Sequence, residues 1–187
     1  MIMDTPENSD GTVFRPGITA DVLQAHHIRH VGEYDAEILA GHWQAGVAIP
    51  YYTADGGPLI VNGQPFHRLR PDHSKNGAKY LSPAKSGCQL YIPLGQDFSN
   101  AKELVIAESE FKALCLAMRS IPAVRLGGFS SGLPGGKMLP ALEELLHLHK
   151  FETVHFLGDN DTCSNFEVRR STSAASGEAT KPSGART

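Results

Sequence analysis

Cysteine is scarce in this chain, and the spacing of the cysteines argues against a structural zinc site or a disulfide framework. There are three cysteines among 187 residues, and no two of them form a C-x-x-C pair. A structural zinc site or a disulfide framework needs closely spaced or paired cysteines. We therefore expect neither, and we expect a protein of a reducing compartment, the cytoplasm.

Long apolar runs and an excess of positive charge are missing as well. No run approaches the roughly 18 apolar residues that a membrane-spanning helix needs. The N-terminus contains Asp4, Glu7 and Asp10, which is not the basic start of a signal peptide. The formal net charge of −3 argues against binding of nucleic acid through bulk positive charge, although a local basic surface remains open. We expect a soluble protein without membrane contact.

Composition predicts two segments without fixed structure, one at each end. Residues 1–16 are polar and are predicted to be a disordered arm. Residues 169–187 are rich in Ser, Ala, Gly and Thr and show no apolar periodicity, which predicts a disordered tail. The folded part is then expected between residues 17 and 168.

Residues 17–100 are predicted to form a helix followed by a small antiparallel β subdomain. Thr19 can cap a helix over about Ala20 to His30. Short β-like pieces follow, and Asp55-Gly56-Gly57 between two apolar runs predicts a hairpin. The single tryptophan, Trp43, is interpreted as a local packing anchor.

Residues 101–168 alternate between strand and helix patterns. The apolar runs 103–107, 123–126 and 153–157 are typical of buried strands, and the stretches 109–119 and 139–149 have helical periodicity. Strand, helix, strand, helix, strand with short connections predicts an α/β fold with a parallel, Rossmann-like sheet. The glycine-rich loop "GGFSSGLPGGK" fails as a Walker A motif; it fits the G-x-S-x-G hydrolase pattern only as a minor alternative, and we interpret it as flexible backbone.

Three acids follow two of the predicted strands. Glu108 comes directly after the first strand, and Asp159 and Asp161 come after the third. If the third strand lies beside the first, with the second on the other side, these carboxylates meet at the carboxyl edge of the sheet. An oxygen-only cluster suits Mg²⁺. The alternative is that Asp159 is a turn residue, Asp161 a helix N-cap and Glu108 a first-turn acid.

The order of motifs resembles the Toprim domain of bacterial-type primases, topoisomerases and some nucleases. "ELVIAESEFKALCLA" followed by "VHFLGDND" is similar to the strand, Glu, helix and Asp-x-Asp of that family, with Ser109 at the usual glycine position. The upstream pieces "GVAIPYYTADGGPL", "HRLRPD", "AKYLSP" and "LYIP" look like the segment that precedes Toprim in primases. The resemblance is to the Toprim-like domain of unknown function in phage- and plasmid-type primase or primase-helicase proteins. Because a full Toprim fold continues past Asp-x-Asp, we expect a chain truncated at its C-terminus.

The resemblance implies an activity, a cofactor and partners. It implies metal-dependent phosphoryl transfer on nucleic acid by a nucleotidyltransferase that makes primers in mobile-element replication. Glu108, Asp159 and Asp161 would be catalytic and would hold Mg²⁺ or Mn²⁺, and the partners would be single-stranded DNA, nucleotides and a helicase or other replication proteins. The alternatives are a Toprim nuclease and a truncated, non-catalytic module that binds nucleic acid or a partner protein.

A basic stretch between residues 66 and 85 is a candidate phosphate-binding face. It contains several basic side chains against one acid, Asp72. Arg68, Arg70 and Lys79 are predicted to contact phosphates, with the solvated face of a hairpin as the alternative. Lys112, one turn after Glu108, is predicted either to reach a phosphate or to pair with Glu108. For Tyr80 and Tyr91 the options are stacking on bases and packing in the sheet, and packing is the commoner.

Overall fold

The computed structural model describes residues 17–74, 77–126 and 138–158. Contacts divide the chain into two compact units: Met1–Gly87 with Ile92–Gly95, and Cys88–Tyr91 with Gln96–Thr187. The predicted arm, the predicted tail and the glycine-rich loop lie outside the described residues. In the part that the structure describes, no helix is long and apolar enough to cross a membrane.

The first unit begins with helix α1, Ala20–Ala25, whose start is the predicted one. Thr19 is the N-cap, and its Oγ1 accepts a hydrogen bond of 3.4 Å from the Val22 N–H. Leu23 is the residue that this short helix buries. The predicted cap is confirmed.

The prediction that this helix continues to His30 is wrong. His27 has a φ of 54°, and the N–H groups of His27 and Ile28 donate to the carbonyls of Gln24 (3.0 Å) and Leu23 (2.8 Å). This pair of bonds is a Schellman motif, which closes a helix and packs the apolar residue that follows against its last turn. Ile28 is buried because of this turn, and the chain continues as strand β1.

A three-stranded antiparallel sheet and a helix form the body of the first unit. The sheet has the order β1-β2-β5, and a two-stranded hairpin, β3-β4, accompanies it. The predicted antiparallel β region is therefore confirmed. Its strands are β1 (Arg29–Val31), β2 (Gly46–Pro50), β3 (Ile60–Val61), β4 (Gln64–Pro65) and β5 (His67–Pro71).

The hairpin predicted at Asp55-Gly56-Gly57 is also confirmed. The Thr53 N–H donates to the Gly57 carbonyl at 2.9 Å, and Tyr52 and Pro58 form an antiparallel bridge. The Thr53 hydroxyl bonds to the Asp55 carboxylate. This bond and backbone hydrogen bonds from Gly57 and from Asp55 itself hold the pKa of Asp55 below its usual range, so the carboxylate stabilises the turn.

Helix α2, Glu33–Ala40, has no counterpart in the sequence prediction. Its N-cap Gly32 makes no side-chain capping bond, and it ends at Gly41, which is left-handed with a φ of 70°. The core beneath it consists of Val31, Ala36, Ala40, Ala48 and Leu69. Because the helix buries alanines and not large apolar residues, its periodicity is faint. The interpretation of Trp43 as a packing anchor is wrong, since this side chain is 57% exposed.

The second unit contains the predicted parallel α/β sheet. The strands alternate with helices and lie in the order β7-β6-β8, with both pairings of β6 parallel. The first strand is therefore central and the third lies beside it, which is the order that the meeting of the acids requires, and the mixed α/β class is confirmed. The elements are β6 (Glu103–Ala107), α3 (Glu110–Ala117), β7 (Ala123–Arg125), α4 (Pro140–His149) and β8 (Thr153–Leu157).

Burial in this sheet falls from its centre to β8. Leu104 and Ile106 of β6 are 0% and 1% exposed, whereas Thr153, His155 and Leu157 of β8 are exposed. On the other side, Tyr91 extends the sheet beyond β7 by exchanging two backbone hydrogen bonds with Arg125, of 3.0 and 2.9 Å. β6 therefore lies in the interior of the unit, and β8 lies at the exposed edge of the sheet.

The close approach of β2 and β5 generates a testable prediction. A Cβ added to Gly46 would lie 2.4 Å from the Arg70 carbonyl oxygen and 2.7 Å from the Pro71 Cα. We expect Gly46→Ala to lower the free energy of unfolding by about 1–3 kcal/mol, because the strand backbones must move apart. Urea denaturation followed by far-ultraviolet circular dichroism measures this.

Gly32→Ala is the matched control. A Cβ on Gly32 meets nothing within 4 Å, so this change loses only the weak preference of an N-cap for Gly over Ala, less than about 1 kcal/mol. Equal destabilisation by both substitutions would contradict the packing argument.

Candidate functional site

The carboxyl ends of the three parallel strands meet at one edge of the second unit. The register pairs Ala107, the last residue of β6, with Arg125 of β7 and with Leu157 of β8. Ligands of parallel α/β sheets bind at this edge, beyond the strand ends. Glu108 immediately follows β6 there and is half-buried. The structure thus places one predicted ligand at the edge where the sequence predicted it.

The other two predicted metal ligands lie outside the described residues. Asp159 and Asp161 follow Leu157 by two and four positions, and the strand that leads to them is hydrogen-bonded to β6. Among residues 17–74, 77–126 and 138–158, no group of three His, Cys, Asp or Glu side chains is arranged to hold a metal. The convergence of Glu108 with the two aspartates stays a prediction.

A buried ion pair adjoins Glu108. The Arg125 Nη1 lies 3.4 Å from the Glu110 Oε1, and the two side chains are 6% and 0% exposed. The Arg125 Nε–H also donates to the Glu108 backbone carbonyl at 3.4 Å. Arg125 therefore connects the end of β7 with the first residue of α3 and with the backbone of the candidate ligand.

Sequence reasoning missed this pair, although a signal for it exists. Arg125 lies between Val124 and Leu126 in an apolar strand, where both neighbours are buried. An arginine inside a buried strand needs a carboxylate, because an uncompensated charge is costly there. Glu110, the first residue of α3 after its N-cap, is a natural candidate, since the helix dipole favours an acid at that position.

Ser109, which departs from the Toprim pattern, has a structural role. It is the N-cap of α3, and its Oγ accepts a hydrogen bond of 3.4 Å from the Lys112 N–H. A glycine would not supply this side-chain bond. Lys112 lies in the first turn of α3 with a half-buried side chain, and its contact with phosphate stays a prediction.

In the first unit, two of the predicted phosphate-binding residues share one face of β5. Leu69 between them is fully buried against α2. Since side chains alternate along a strand, Arg68 and Arg70 project from the opposite face of the sheet. Their partners across the sheet are Ile49 and Val47. Both arginines therefore lie on the same face of the sheet as the buried Ile49 and Val47, and both are half-buried.

Arg68 is held in place within its own unit. Its Nε–H donates to the Ser82 Oγ at 3.2 Å, and its guanidinium lies 4.9 Å from the centre of the half-buried Tyr80 ring. Lys79 is exposed. Arg68 thus contributes to the fold in addition to any role in binding, and Lys79 extends into solvent.

Tyr91, the other tyrosine considered for stacking on bases, is not available for it. This side chain is 1% exposed and belongs to the second unit. Its interpretation as a packing residue is confirmed.

One histidine of the basic stretch has a lowered pKa. Burial lowers the pKa of His67, and the positive charge of Arg29 lowers it further, while the hydrogen bond to the Pro65 carbonyl acts in the opposite direction. His30 lies 2.8 Å from an oxygen of the Asp72 carboxylate. His67 therefore adds little to the positive charge of Arg68, Arg70 and Lys79.

Comparison with known proteins finds no match for the chain among protein-family models, curated proteins or solved structures. The geometry and the sequence motifs therefore carry the functional interpretation.

The buried ion pair generates a second testable prediction. We expect Arg125→Ala to lower the free energy of unfolding by about 3–5 kcal/mol, because Glu110 then keeps a buried charge without its main compensation. Replacing both residues, as in Arg125→Met with Glu110→Leu, should cost clearly less than Arg125→Ala. Chemical denaturation of the wild type, Arg125→Met, Glu110→Leu and the double variant closes the cycle that gives the coupling between the two positions.

An exposed ion pair of the same unit, Lys102 with Glu152, is the control. Lys102 Nζ and Glu152 Oε1 are 3.1 Å apart, with side chains 75% and 65% exposed, and Lys102→Ala should cost less than about 1 kcal/mol. A loss of similar size at both pairs would show that the Glu110–Arg125 contact does not hold the unit together.

Proposed function

We propose that this chain is a Toprim-like protein that carries out metal-dependent phosphoryl transfer on nucleic acid, and that its reaction is primer synthesis in phage or plasmid replication. The observation that carries the proposal is the parallel pairing of β6 with β8, from Glu103↔Thr153 to Ala107↔Leu157. This register ends the strand before Glu108 and the strand before Asp159 at the same edge of the sheet. Acids that follow adjacent parallel strands in this way are suitably placed to act together.

The donor chemistry of the three acids fits magnesium or manganese. Glu108, Asp159 and Asp161 offer only carboxylate oxygens, which hard divalent cations prefer. Mg²⁺ held by them would neutralise phosphate charge during transfer. The part of the chain's own residues is to orient the carboxylates, and the Arg125 bond to the Glu108 backbone carbonyl holds the main chain from which one of them projects.

Basic side chains are proposed to position the nucleic acid. Arg70 and Lys79, together with Arg68, would contact backbone phosphates of single-stranded DNA or of an incoming nucleotide. Lys112, on the first turn of α3, would contact a phosphate near Glu108. A helicase or other replication proteins would act with the chain on the same DNA.

The third prediction tests the metal site and the reaction together. We expect Mn²⁺ to bind weakly in calorimetric titration and Asp159→Ala with Asp161→Ala to abolish the binding heat, since two of three anionic ligands are lost. We expect Glu108→Gln to weaken metal binding and to abolish labelled product on a single-stranded template with nucleoside triphosphates and Mg²⁺. A new oligonucleotide made from the labelled nucleoside triphosphates indicates synthesis, and a shortened template indicates the nuclease alternative.

Glu103→Gln is the matched control for Glu108→Gln. Glu103 is on the same strand but at its opposite end, and its side chain is 67% exposed beside His155. This change should leave both metal binding and product unaffected. Equal metal binding in wild type and in the Asp159/Asp161 variant would refute the metal site. DNA binding without either product would support the non-catalytic module.

The fourth prediction concerns the basic face. We expect Arg70→Ala with Lys79→Ala to weaken single-stranded DNA binding equally for all sequences and to lower the slope of log affinity against log salt by about 1.4, since each lost phosphate contact removes about 0.7. Fluorescence anisotropy at several salt concentrations measures the slope. Arg68 is left in place here, because its bond to Ser82 supports the fold.

A control of equal charge distinguishes a local contact from bulk charge. Lys102 and Arg119 are exposed residues of the second unit, and replacing both with alanine removes the same charge. This variant should keep the wild-type slope. A slope unchanged by Arg70→Ala with Lys79→Ala, or lowered equally by both variants, would overturn the proposed phosphate-binding face.

A further inference from the structure

The exposed side of α2 is apolar along its centre. Tyr34 and Ile38 lie one helical turn apart, on the side opposite the buried Ala36 and Ala40. They are 68% and 64% exposed, and Trp43, three residues beyond the helix, is 57% exposed. Single exposed apolar residues need no explanation, but a concentration of them marks an interaction site.

No other short stretch of the described residues has as many strongly exposed apolar side chains. Of the four most exposed large apolar residues, three belong to this short stretch, and the fourth is Leu148 of α4 at 67%. The remaining ones lie on other elements, at 54% exposure or less. Among the described residues, the strongly exposed apolar side chains are therefore concentrated in the short stretch of sequence from Tyr34 to Trp43.

Acidic side chains flank the apolar centre on both sides. At 100° per residue, Glu33 and Glu37 lie on one flank of Tyr34 and Ile38, and Asp35 lies on the other. All three acids are exposed, and no ion pair joins them to another residue in the described ranges of the chain. α2 contains no basic residue.

Helix stability does not account for this charge pattern. Acids in the first turn gain from the helix dipole, but Glu37 lies beyond that turn. Glu33 and Glu37 are four residues apart, where like charges repel each other and destabilise the helix. The acids are therefore suited to pair with basic side chains of another molecule.

We propose that the face formed by Tyr34, Ile38 and Trp43 with Glu33, Asp35 and Glu37 is a docking surface for a basic amphipathic segment of a partner protein. Large apolar side chains of the partner cover the central residues, and its lysines or arginines meet the acidic flanks. Such an arrangement, with an apolar centre and a charged rim, is the usual anatomy of a specific protein interface. This proposal does not depend on the proposed catalytic function.

The negative charge of the face favours a basic partner over nucleic acid or a second copy of the chain. Phosphates of nucleic acid would be repelled by three carboxylates, and two copies of the same face in a symmetric dimer would bring like charges together. The chain's own residues 169–187 include four basic residues but no large apolar one. They could neutralise the acids without covering the apolar centre.

The experiment uses the full chain and a synthetic probe. The probe is a fluorescein-labelled peptide with lysine and leucine in an amphipathic helical pattern and without tryptophan. Because Trp43 is the only tryptophan of the chain, its emission tests whether the peptide covers Trp43 together with Tyr34 and Ile38. We expect anisotropy to rise with protein concentration, Trp43 emission to shift to shorter wavelength, and the affinity to fall as salt increases.

Two variants test the two halves of the proposal. Tyr34→Ser with Ile38→Ser should weaken peptide binding by at least about tenfold, which corresponds to about 1.4 kcal/mol. Glu33→Gln with Asp35→Asn and Glu37→Gln should weaken it similarly and remove most of the salt dependence. Leu148→Ser, an equally exposed apolar residue on another helix, should leave the affinity unchanged.

Several results would overturn the proposal. They are wild-type affinity in both α2 variants, equal binding of a matched peptide with glutamate in place of lysine, and unchanged Trp43 emission at saturation. Self-association that shifts Trp43 emission in the absence of peptide would assign the face to a second copy of the chain and would also overturn it. Circular dichroism of each variant confirms that the exposed substitutions leave the fold intact.

Discussion

The ion pair between Glu110 and Arg125 is the contact on which the candidate site depends. Neither charge is tolerable alone in so buried a position, so each fixes the other. Through this pair the end of β7, the start of α3 and the backbone of Glu108 are joined at one point. The edge of the sheet where the acids are expected is thereby built around a polar contact within an apolar unit. A small change in the geometry of the Glu110–Arg125 pair would therefore also move the backbone of Glu108.

Local patterns were sufficient to predict the strands and helices of the second unit. The runs 103–107, 123–126 and 153–157 are apolar over the length of a strand, and the stretches between them have helical periodicity, so propensity and burial agree. Local patterns did not predict the strand order: the central position of β6 was a condition for bringing the acids together, and the structure meets it. In the first unit the same reasoning predicted the hairpin at Asp55-Gly56-Gly57, where turn chemistry is explicit.

Where local patterns are weak, the sequence prediction missed the structure. α2 buries alanines and begins at a glycine, so neither its periodicity nor its cap is recognisable. The end of α1 was missed because a histidine, His27, takes the left-handed position that glycine usually occupies. In the site, Glu108 could be predicted from its place at a strand end. The partnership of Arg125 with Glu110 was missed, because the pair joins a strand to the helix before it and no local spacing pattern links the two residues, although an arginine inside a buried strand does signal a carboxylate partner.

The bridge between Tyr91 and Arg125 has a consequence for how this chain can be divided. The chain passes between the two units three times, at Gly87, Tyr91 and Gly95. No single peptide bond therefore separates them, and proteolytic cleavage at one loop would not release two intact halves. A fragment beginning at Gln96 would lack Tyr91, and the outer edge of β7 would lose both backbone hydrogen bonds that now cover it. An uncovered strand edge readily pairs with another chain, so such a fragment is expected to aggregate even if its sheet still forms.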